Sequence, residues 1–395
     1  MARTVIFAGL IFLLVLIFPK PGFAQEFVTR QGQKLLYQQN ELFVYGATIY
    51  PYWSFNSTIF RGSGWTRPEF TQYLDYITNL AKLGKVNTLR ITNFLDGTSN
   101  PYDAVVWSNI DYLFTNANIN HLFLILDLST YRNLLRRQNT MPYNANLWNN
   151  FLDFVANRYK NQSRLLSYEI AGEVEAINDA DPLRPSSTSA LTQFYSGTST
   201  RLRAGDPNHL VSTGGLLFLN WDSGIDWQAI FGLTTIDFAA IHQYSQGDLL
   251  ETLPAVSQWA QSHQKPFSVE EFGYTQGLGD QTRANNFQTM HDALTNVGGN
   301  VFIFWNLGPE TAAASHDVGP QTPLVWNWVK THAPQPLPEP SPGVFDLNGD
   351  GQLTPQDIKY LILRWLSKTL TPADLVNDGT VNSFDFSRLR EALVN

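Results

Sequence analysis

The sequence predicts an α/β protein, a (β/α)8 TIM barrel, followed by a small all-α domain at the C-terminal end of its 395 residues. Three observations lead to this prediction. Eight short apolar runs alternate with amphipathic stretches, a proline-rich segment ends that series, and two similar acidic loops follow it. The 43% of apolar residues can form a sizeable core, and the absence of cysteine excludes a disulfide framework.

The eight β-rich runs have the length of single strands, and several are apolar on both faces, as strands covered by helices must be. They are LFVYGAT (42–48), VNTLRI (86–91), HLFLILD (121–127), RLLSYEI (164–170), HLVST (209–213), IDFAAI (236–241), PFSVE (266–270) and NVFIFW (300–305). Helical periodicity is clearest in RPEFTQYLDYITNLAKLG and NANLWNNFLDFVANRY. Eight such units indicate a barrel, with a doubly wound sheet as the alternative. FVTRQGQKLLYQQNELF, upstream, predicts a hairpin that closes the bottom of the barrel.

The two ends of this region predict the domain boundaries. Residues 1–24 combine Arg3, an apolar run and small residues near Ala24, which is the layout of a secretory signal peptide; a retained anchor is the alternative. Residues 333–343, APQPLPEPSPG, predict an extended linker. We therefore expect export to the extracellular space, a barrel domain at 25–332 and a second domain at 344–395.

The charge balance bears on the partners. Asp and Glu number 34 against 26 Lys and Arg, so the formal net charge is -8. An acidic surface repels phosphate backbones and anionic lipids, which argues against nucleic acid as a partner and against a membrane beyond the signal peptide.

Two acidic motifs lie where predicted strands end, and this is the end that lines the active face of a barrel. They are SYEIAGEVEA, with Glu173, and KPFSVEEFG, with Glu270 and Glu271. Strand alternation predicts that only one residue of the Glu270–Glu271 pair points into the barrel mouth, and it makes Glu169 a supporting residue. Two carboxyl groups facing each other could cleave a glycosidic bond. Ordinary ion pairs with loop arginines or lysines are the alternative interpretation.

These motifs resemble family 5 glycoside hydrolases, in which the acid/base strand is usually W-E-L-A-N-E-P and the nucleophile strand resembles KPFSVEEFG. Four further matches follow in the family's order: VNTLRITNF, DPNHLVSTGG, IDFAAIHQYS and NVFIFWNL. The resemblance covers roughly residues 25 to 330, and FVTRQGQKLLYQQNELFVYGATIYPYW and ITNFLDG are most similar to the endo-β-mannanase branch.

The resemblance implies roles for particular residues. Glu271 would be the nucleophile and Glu173 the acid/base, with Arg90 and Tyr244 keeping Glu271 ionised and oriented. Glu173 would need a less polar setting that keeps it protonated. His242 would contact the substrate or the acid/base. Trp305 would form a sugar platform; the weaker platform candidates are Tyr50, Tyr52, Trp53 and Trp221.

One departure from the family pattern concerns the residue before the acid/base. The family has an asparagine there that bonds the sugar 2-hydroxyl, whereas this chain has Gly172, with Val174 in place of the following proline. We expect weakened, shifted or absent activity unless another asparagine substitutes. The candidates are Asn93, Asn178 and Asn306.

The C-terminal segment contains two related calcium-type loops, each followed by one predicted helix. The predicted ligands are Asp346, Asn348, Asp350, Gln352 and Asp357 in the first loop, and Asp374, Asp378, Thr380, Asn382 and Asp385 in the second. Val376 fills the third place of the second loop and cannot ligate, so we expect a weaker site there. The pair resembles a type I dockerin, which implies structural Ca²⁺ and a cohesin-bearing scaffold protein as partner.

Together these features predict a secreted, retaining β-1,4-glycanase, most similar to an endo-β-1,4-mannanase, with no cofactor for catalysis. A cellulase or another β-glucanase on the same fold is one alternative. A glycan-binding protein that has lost catalysis is another, and a calcium-regulated adhesion protein is a third.

Overall fold

A computed structural model describes residues 27–49, 67–96, 98–177, 180–216, 223–245, 248–335, 347, 355–363, 373–376 and 380–394. The predicted signal peptide lies outside these residues, as does the linker after residue 335. Among the described residues, no helix combines the length and apolarity that crossing a bilayer requires.

Eight parallel strands form the central sheet, and each corresponds to one of the predicted runs. In chain order they are β4 (Val44–Ile49), β5 (Thr88–Ile91), β6 (Phe123–Asp127), β7 (Leu165–Glu169), β8 (Leu210–Ser212), β9 (Ala239–Gln243), β10 (Phe267–Phe272) and β11 (Val301–Phe304). They pair in the order β8-β7-β6-β5-β4-β11-β10-β9. Backbone bonds from Asp237 N to Val211 O (2.8 Å) and from Leu216 N to Ala240 O (3.2 Å) close the gap between the outer strands. The predicted (β/α)8 barrel is confirmed.

Helices follow every strand and surround the barrel. They are α1 (Arg67–Gly84), α2 (Ala104–Ile119), α3 (Ser129–Arg137), α4 (Ala145–Tyr159), α5 (Thr188–Gly205), α6 (Trp227–Phe231), α7 (Leu253–Ser262), α8 (Asp280–Asn296) and α9 (Pro323–His332). A π-helical turn, Asp248–Thr252, precedes α7. Side chains of Asp103, Asn144, Ser187 and Asp226 cap the free N–H groups at four helix starts, which fixes where those helices begin.

The N-terminal segment closes the bottom of the barrel, as predicted. Its strands are β1 (Thr29–Gln31), β2 (Lys34–Tyr37) and β3 (Asn40–Glu41), which pair antiparallel. Leu35 and Tyr37 pack with inward-facing residues of the barrel strands, including Phe123 and Leu166, in one buried cluster. Apolar residues therefore fill the lower barrel, and the polar side chains are left to the upper end.

A β-bulge in β10 changes the direction of two neighbouring acids. Val269 pairs with Ile241, but the next partner along β9, His242, pairs with Glu271, so one residue of β10 is left over. Glu270 accepts hydrogen bonds from Ser212 and Ser268, and Glu271 accepts one from Arg90, so both buried carboxyl groups lie inside the barrel. The expectation that alternation turns one of them away is wrong, because a bulge breaks the period of two.

Two helices form the described part of the C-terminal module, α10 (Pro355–Leu363) and α11 (Ser383–Val394). They pack around a small buried cluster: Leu347, Leu361, Ala373, Val381 and Leu389. This agrees with the predicted small all-α domain.

Candidate active site

The upper end of the barrel is organised around one buried arginine. Arg90, from β5, is 1% exposed. Its Nε donates to both carboxylate oxygens of Glu169 (3.0 and 2.8 Å). Its Nη1 donates to Glu271 Oε2 (2.9 Å) and its Nη2 to Asp127 Oδ2 (3.1 Å). Burial acts to lower the pKa of Arg90, but these three carboxylates raise it well above its ordinary value, so the guanidinium stays charged.

Glu271 is held from two sides. Arg90 binds its Oε2, and the hydroxyl of Tyr244 donates to its Oε1 at 2.7 Å. Burial and the charge of Glu271 raise the pKa of Tyr244 well above its ordinary value, which keeps the phenol protonated as a donor. The structure thus brings Arg90 and Tyr244 onto Glu271, the arrangement that the sequence resemblance implies.

Glu173 lies across the barrel mouth from Glu271, with His242 between them. Glu173 follows β7 with a φ of 50°. His242 Nδ1 lies 2.8 Å from Glu173 Oε1 and 3.8 Å from Glu271 Oε2. One carboxylate oxygen of Glu173, one of Glu271 and a ring nitrogen of His242 all lie within 4.8 Å of one another. Retaining glycosidases place their two carboxyl groups about 5 to 5.5 Å apart, whereas inverting enzymes leave a wider gap for water.

The protonation environments of the two acids differ from the prediction. Burial raises the pKa of Glu271, and the attraction of His242 and Arg90 does not fully offset it. Burial also acts to raise the pKa of Glu173, but its bond to His242 and the charges of His242, Arg132 and Arg90 bring it below the usual range. The sequence predicts the opposite order because it shows neither the burial of Glu271 nor the imidazole partner of Glu173.

His242 is the third titratable group of the site and contacts both acids. Burial acts to lower its pKa, yet the charge of Glu271 and the bond to Glu173 raise it above the ordinary value. In the imidazolium form of His242, the proton on Nδ1 lies in the short contact to Glu173 Oε1. Transfer of that one proton would convert Glu173 into the neutral acid form.

Gly172 is explained by packing. A Cβ placed on Gly172 would lie 1.7 Å from the carbonyl oxygen of Gly214 in the turn after β8. Backbone bonds from Ala171 N to Thr213 O and from Glu173 N to Gly215 O, both 3.0 Å, hold the two segments together. Gly215, with a φ of 76°, lies against His242, whose ring a Cβ would meet at 2.0 Å. No asparagine side chain fits at position 172 in this backbone.

The proposed substitutes for that asparagine have other partners. Asn93 Oδ1 accepts a hydrogen bond from Asn133 Nδ2 at 2.8 Å. The side chain of Asn306 bonds to the buried carboxyl group of Asp317. Asn178 lies outside the described residues.

Trp305 directly follows β11 and is partly exposed; its backbone N donates to Phe272 O at 2.6 Å. The weaker platform candidates lie outside the described residues: Tyr50, Tyr52, Trp53 and Trp221.

Sequence reasoning missed three residues of this site. Asp127 ends β6 and could have been noticed as an acid at the end of a predicted strand. Arg132, in α3, donates to the backbone carbonyls of Gly172 and Glu173. The ring of His316 meets Tyr244 edge-on, with centroids 6.1 Å apart. Arg132 and His316 belong to no recognisable motif.

The calcium-type loops are described in part. Asp357 and Asp385, the twelfth residues of the two loops, are fully buried. Asp357 Oδ1 accepts from Leu347 N at 2.7 Å, and Asp385 Oδ2 accepts from Asn382 N at 2.7 Å. Buried carboxylates grouped with further oxygen donors fit a hard cation such as Ca²⁺.

The second loop shows more of the predicted ligand set. Asp374 is 5% exposed, and Thr380 O accepts from Asn382 Nδ2 at 2.8 Å. Val376 is buried at the third place and offers only an apolar side chain. The remaining predicted ligands lie outside the described residues: Asp346, Asn348, Asp350, Gln352 and Asp378.

Comparison with known proteins agrees with both parts of the chain. Residues 344–394 match the family model of the Dockerin type I domain. Over 306 residues the chain is 23% identical to mannan endo-1,4-beta-mannosidase A of Hypocrea jecorina, covering 62% of this chain and 66% of that protein. Over 187 residues it is 22% identical to mannan endo-1,4-beta-mannosidase F of Aspergillus clavatus, covering 42% and 40%. The match thus spans about two fifths of the length of that relative.

Solved structures share the barrel fold. The endo-1,4-beta-mannanase of Rhizomucor miehei superposes with a TM-score of 0.59 at 17% identity, over 77% of this chain and 99% of that chain. The catalytic domain of the major endoglucanase of Xanthomonas campestris gives a TM-score of 0.52 at 15% identity, over 77% and 100%. The predicted resemblance to endo-mannanases and to a type I dockerin is confirmed.

Proposed function

We propose that this chain is a secreted, retaining glycoside hydrolase that cleaves β-1,4-linked mannan by double displacement. The observation that carries the proposal is the pair of carboxyl groups of Glu173 and Glu271, whose oxygens approach within 4.8 Å around His242. Two acids at that spacing suit a covalent glycosyl intermediate on one of them.

In the first step, a Glu271 oxygen attacks the anomeric carbon while the bond from that carbon to the leaving oxygen breaks. Glu173 gives its proton to the leaving oxygen. Arg90 and Tyr244 aim the Glu271 carboxylate, and they bind its charge before the reaction begins. In the second step, Glu173 takes a proton from water, the water oxygen bonds to the anomeric carbon, and the bond to Glu271 breaks.

His242 can supply the proton that Glu173 needs in this cycle. Attack requires a charged Glu271 and a neutral Glu173, whereas the bond to His242 and the nearby positive charges lower the pKa of Glu173. A sugar bound between the two acids excludes water from Glu173, which favours its neutral form. His242 Nδ1 lies 2.8 Å from Glu173 Oε1 and can supply the proton. A histidine to carboxyl transfer inside the site therefore prepares the acid without a proton from bulk water.

The names of the relatives support mannan as substrate. The endoglucanase with a similar barrel makes β-glucan a second candidate. Gly172 does not favour a catalytically inactive glycan-binding protein, because the close packing against Gly214 accounts for the glycine without loss of the two acids.

The C-terminal module would attach the enzyme to a partner. The dockerin type I match at residues 344–394 supports calcium binding by the two loops and docking to a cohesin-bearing scaffold protein outside the cell. We propose residues 25–332 as the hydrolase domain, 333–343 as the linker and 344–395 as the docking domain, after removal of residues 1–24.

Reducing-sugar release from mannan, carboxymethylcellulose and xylan tests the proposal. Wild type should act on mannan, with Glu271→Ala and Glu173→Ala at least about 100-fold slower. Glu270→Gln is the matched control: Glu270 is buried, burial raises its pKa, and an amide keeps the acceptor for Ser212 and Ser268. It should retain activity.

Product stereochemistry checks the mechanism. NMR of the first product formed should show the β anomer, because two inversions retain configuration. With an aryl β-mannoside whose dinitrophenyl leaving group departs without a proton, azide should rescue Glu173→Ala and yield a β-glycosyl azide. An α anomer from the wild type would refute double displacement, and sugar release by Glu271→Ala at the wild-type rate would refute the assignment of the nucleophile.

A further inference from the structure

We propose that Arg132 is the positioning residue that fixes the backbone of the acid/base Glu173. The inference rests on the proposed function and extends it to α3, a helix that contributes no residue to the family motifs in this sequence.

The contacts of Arg132 converge on the residues that carry the acid. Its Nη1 donates to Gly172 O in a short contact and to Glu173 O at 3.3 Å. Two successive carbonyls bound by one guanidinium nitrogen restrain the two peptide planes that meet at the Cα of Glu173. The Cα–Cβ bond of Glu173 starts at that shared atom, so these contacts set the direction in which its side chain leaves the backbone.

The other nitrogens of the guanidinium, Nε and Nη2, are held by the neighbouring side chain of Asn133. Arg132 Nε and Nη2 both donate to Asn133 Oδ1, each at 3.1 Å. Asn133 Nδ2 in turn donates to Asn93 Oδ1 at 2.8 Å, just beyond the strand that carries Arg90. The chain of contacts thus connects the segment of the acid/base to the segment next to the arginine that holds the nucleophile.

The segment needs such support because Gly172 and the conformation of Glu173 weaken its local preference. Glycine has no side chain to restrict its backbone, and Glu173 has a φ of 50°, which is uncommon for a residue with a Cβ. Arg136, one turn further along α3, donates to Leu183 O at 2.7 Å in the same β7–α5 connection. Helix α3 therefore holds this connection at two points.

The positive charge of Arg132 also acts on the acid. Together with His242 and Arg90 it counters the effect of burial and lowers the pKa of Glu173. Removal of the charge should move the basic limb of the pH profile of kcat/KM to higher pH, because that limb reports loss of the acid proton.

Two variants distinguish the hydrogen bonds of Arg132 from its positive charge: Arg132→Met removes both, and Arg132→Lys keeps only the charge. Arg137→Gln is the control. Arg137 lies on the same helix and pairs with Asp96 at the surface at 2.7 Å. Each full-length variant is assayed on mannan and on an aryl β-mannoside with a dinitrophenyl leaving group, which departs without a proton. Thermal melts establish folding.

We expect Arg132→Met to lower kcat on mannan about 10- to 100-fold while kcat/KM on the aryl mannoside changes by less than about threefold. The basic limb of its pH profile of kcat/KM should move to higher pH. Arg132→Lys should lower the rate on mannan but leave the basic limb of the pH profile unchanged. Lysine keeps the positive charge but lacks the several N–H donors of the guanidinium group. Arg137→Gln should match wild type.

Equal losses on both substrates, or a mannan rate within about twofold of wild type, would overturn the inference. If Arg132→Met does not fold, the comparison of Arg132→Lys with wild type decides in the same way. Failure of the proposed function would look different, because the wild type itself would then release no sugar from any of the polysaccharides and would not cleave the aryl mannoside.

Discussion

Replacing Gly172 by asparagine, the residue that family 5 enzymes carry before the acid/base, is expected to lower activity. The structure places a new Cβ 1.7 Å from the carbonyl oxygen of Gly214. Ordinary contact would require these atoms to separate by about 1.5 Å or more, and both belong to backbone, which has no rotamer to change. The displaced segment carries Glu173 as its next residue.

The expected magnitude follows from that displacement. A shift of about 1 Å at a catalytic group can cost about 100-fold in rate, which corresponds to about 2.7 kcal/mol of barrier. Overpacking of this kind also lowers the free energy of unfolding by about 1 to 3 kcal/mol. We expect Gly172→Ala to show the same losses, because the steric conflict begins at Cβ.

The assay is kcat on mannan together with urea unfolding of each purified variant. Gly298→Asn provides the matched control: Gly298 has a φ of 72° with open space around its Cβ position, and asparagine tolerates that backbone region. It should remain within about 1 kcal/mol of wild type. A Gly172→Asn variant faster than wild type, with Gly172→Ala slower, would show that the amide is accommodated and would refute the steric reasoning.

Arg90→Met should lower the free energy of unfolding by about 3 to 5 kcal/mol, because three buried carboxylates lose their counter-charge; urea unfolding measures this, and a loss under about 1 kcal/mol would contradict it. Burial raises the pKa of Asp317 from 3.8 to about 7. The folded chain therefore holds a proton that the unfolded chain releases, so the free energy of unfolding should fall as pH rises from about 4 to 7 and level off above. Asp317→Asn should make this fall shallower; an unchanged slope in pH-dependent urea titrations would argue against it. Chelation of calcium should abolish the unfolding transition of residues 344–394 in calorimetry and leave that of the barrel, and Asp385→Ala should weaken calcium binding. A barrel transition that moves with chelator would instead favour a calcium-regulated fold.

Several features of the site follow from local sequence and were predictable. Glu173, Glu271 and His242 occur at or just beyond strand ends, and parallel strands bring those ends to one face. Tyr244 follows His242 by two positions, and it reaches Glu271 as the resemblance implies. The residues that escaped prediction act through loops or helices, as Arg132 does, and no local pattern marks them.

The amino-acid sequence by itself determined the eight strands, the closing hairpin and the paired acidic loops, because burial of apolar residues and turn chemistry act over a few neighbouring positions. Only the tertiary structure decided which way Glu270 faces, why position 172 is glycine, and which acid is the more easily ionised. Those outcomes depend on distances between groups far apart along the chain, such as Arg90 and Glu271, which lie 181 positions apart and 2.9 Å from each other. Charge and packing energies depend on such distances, and folding alone sets them.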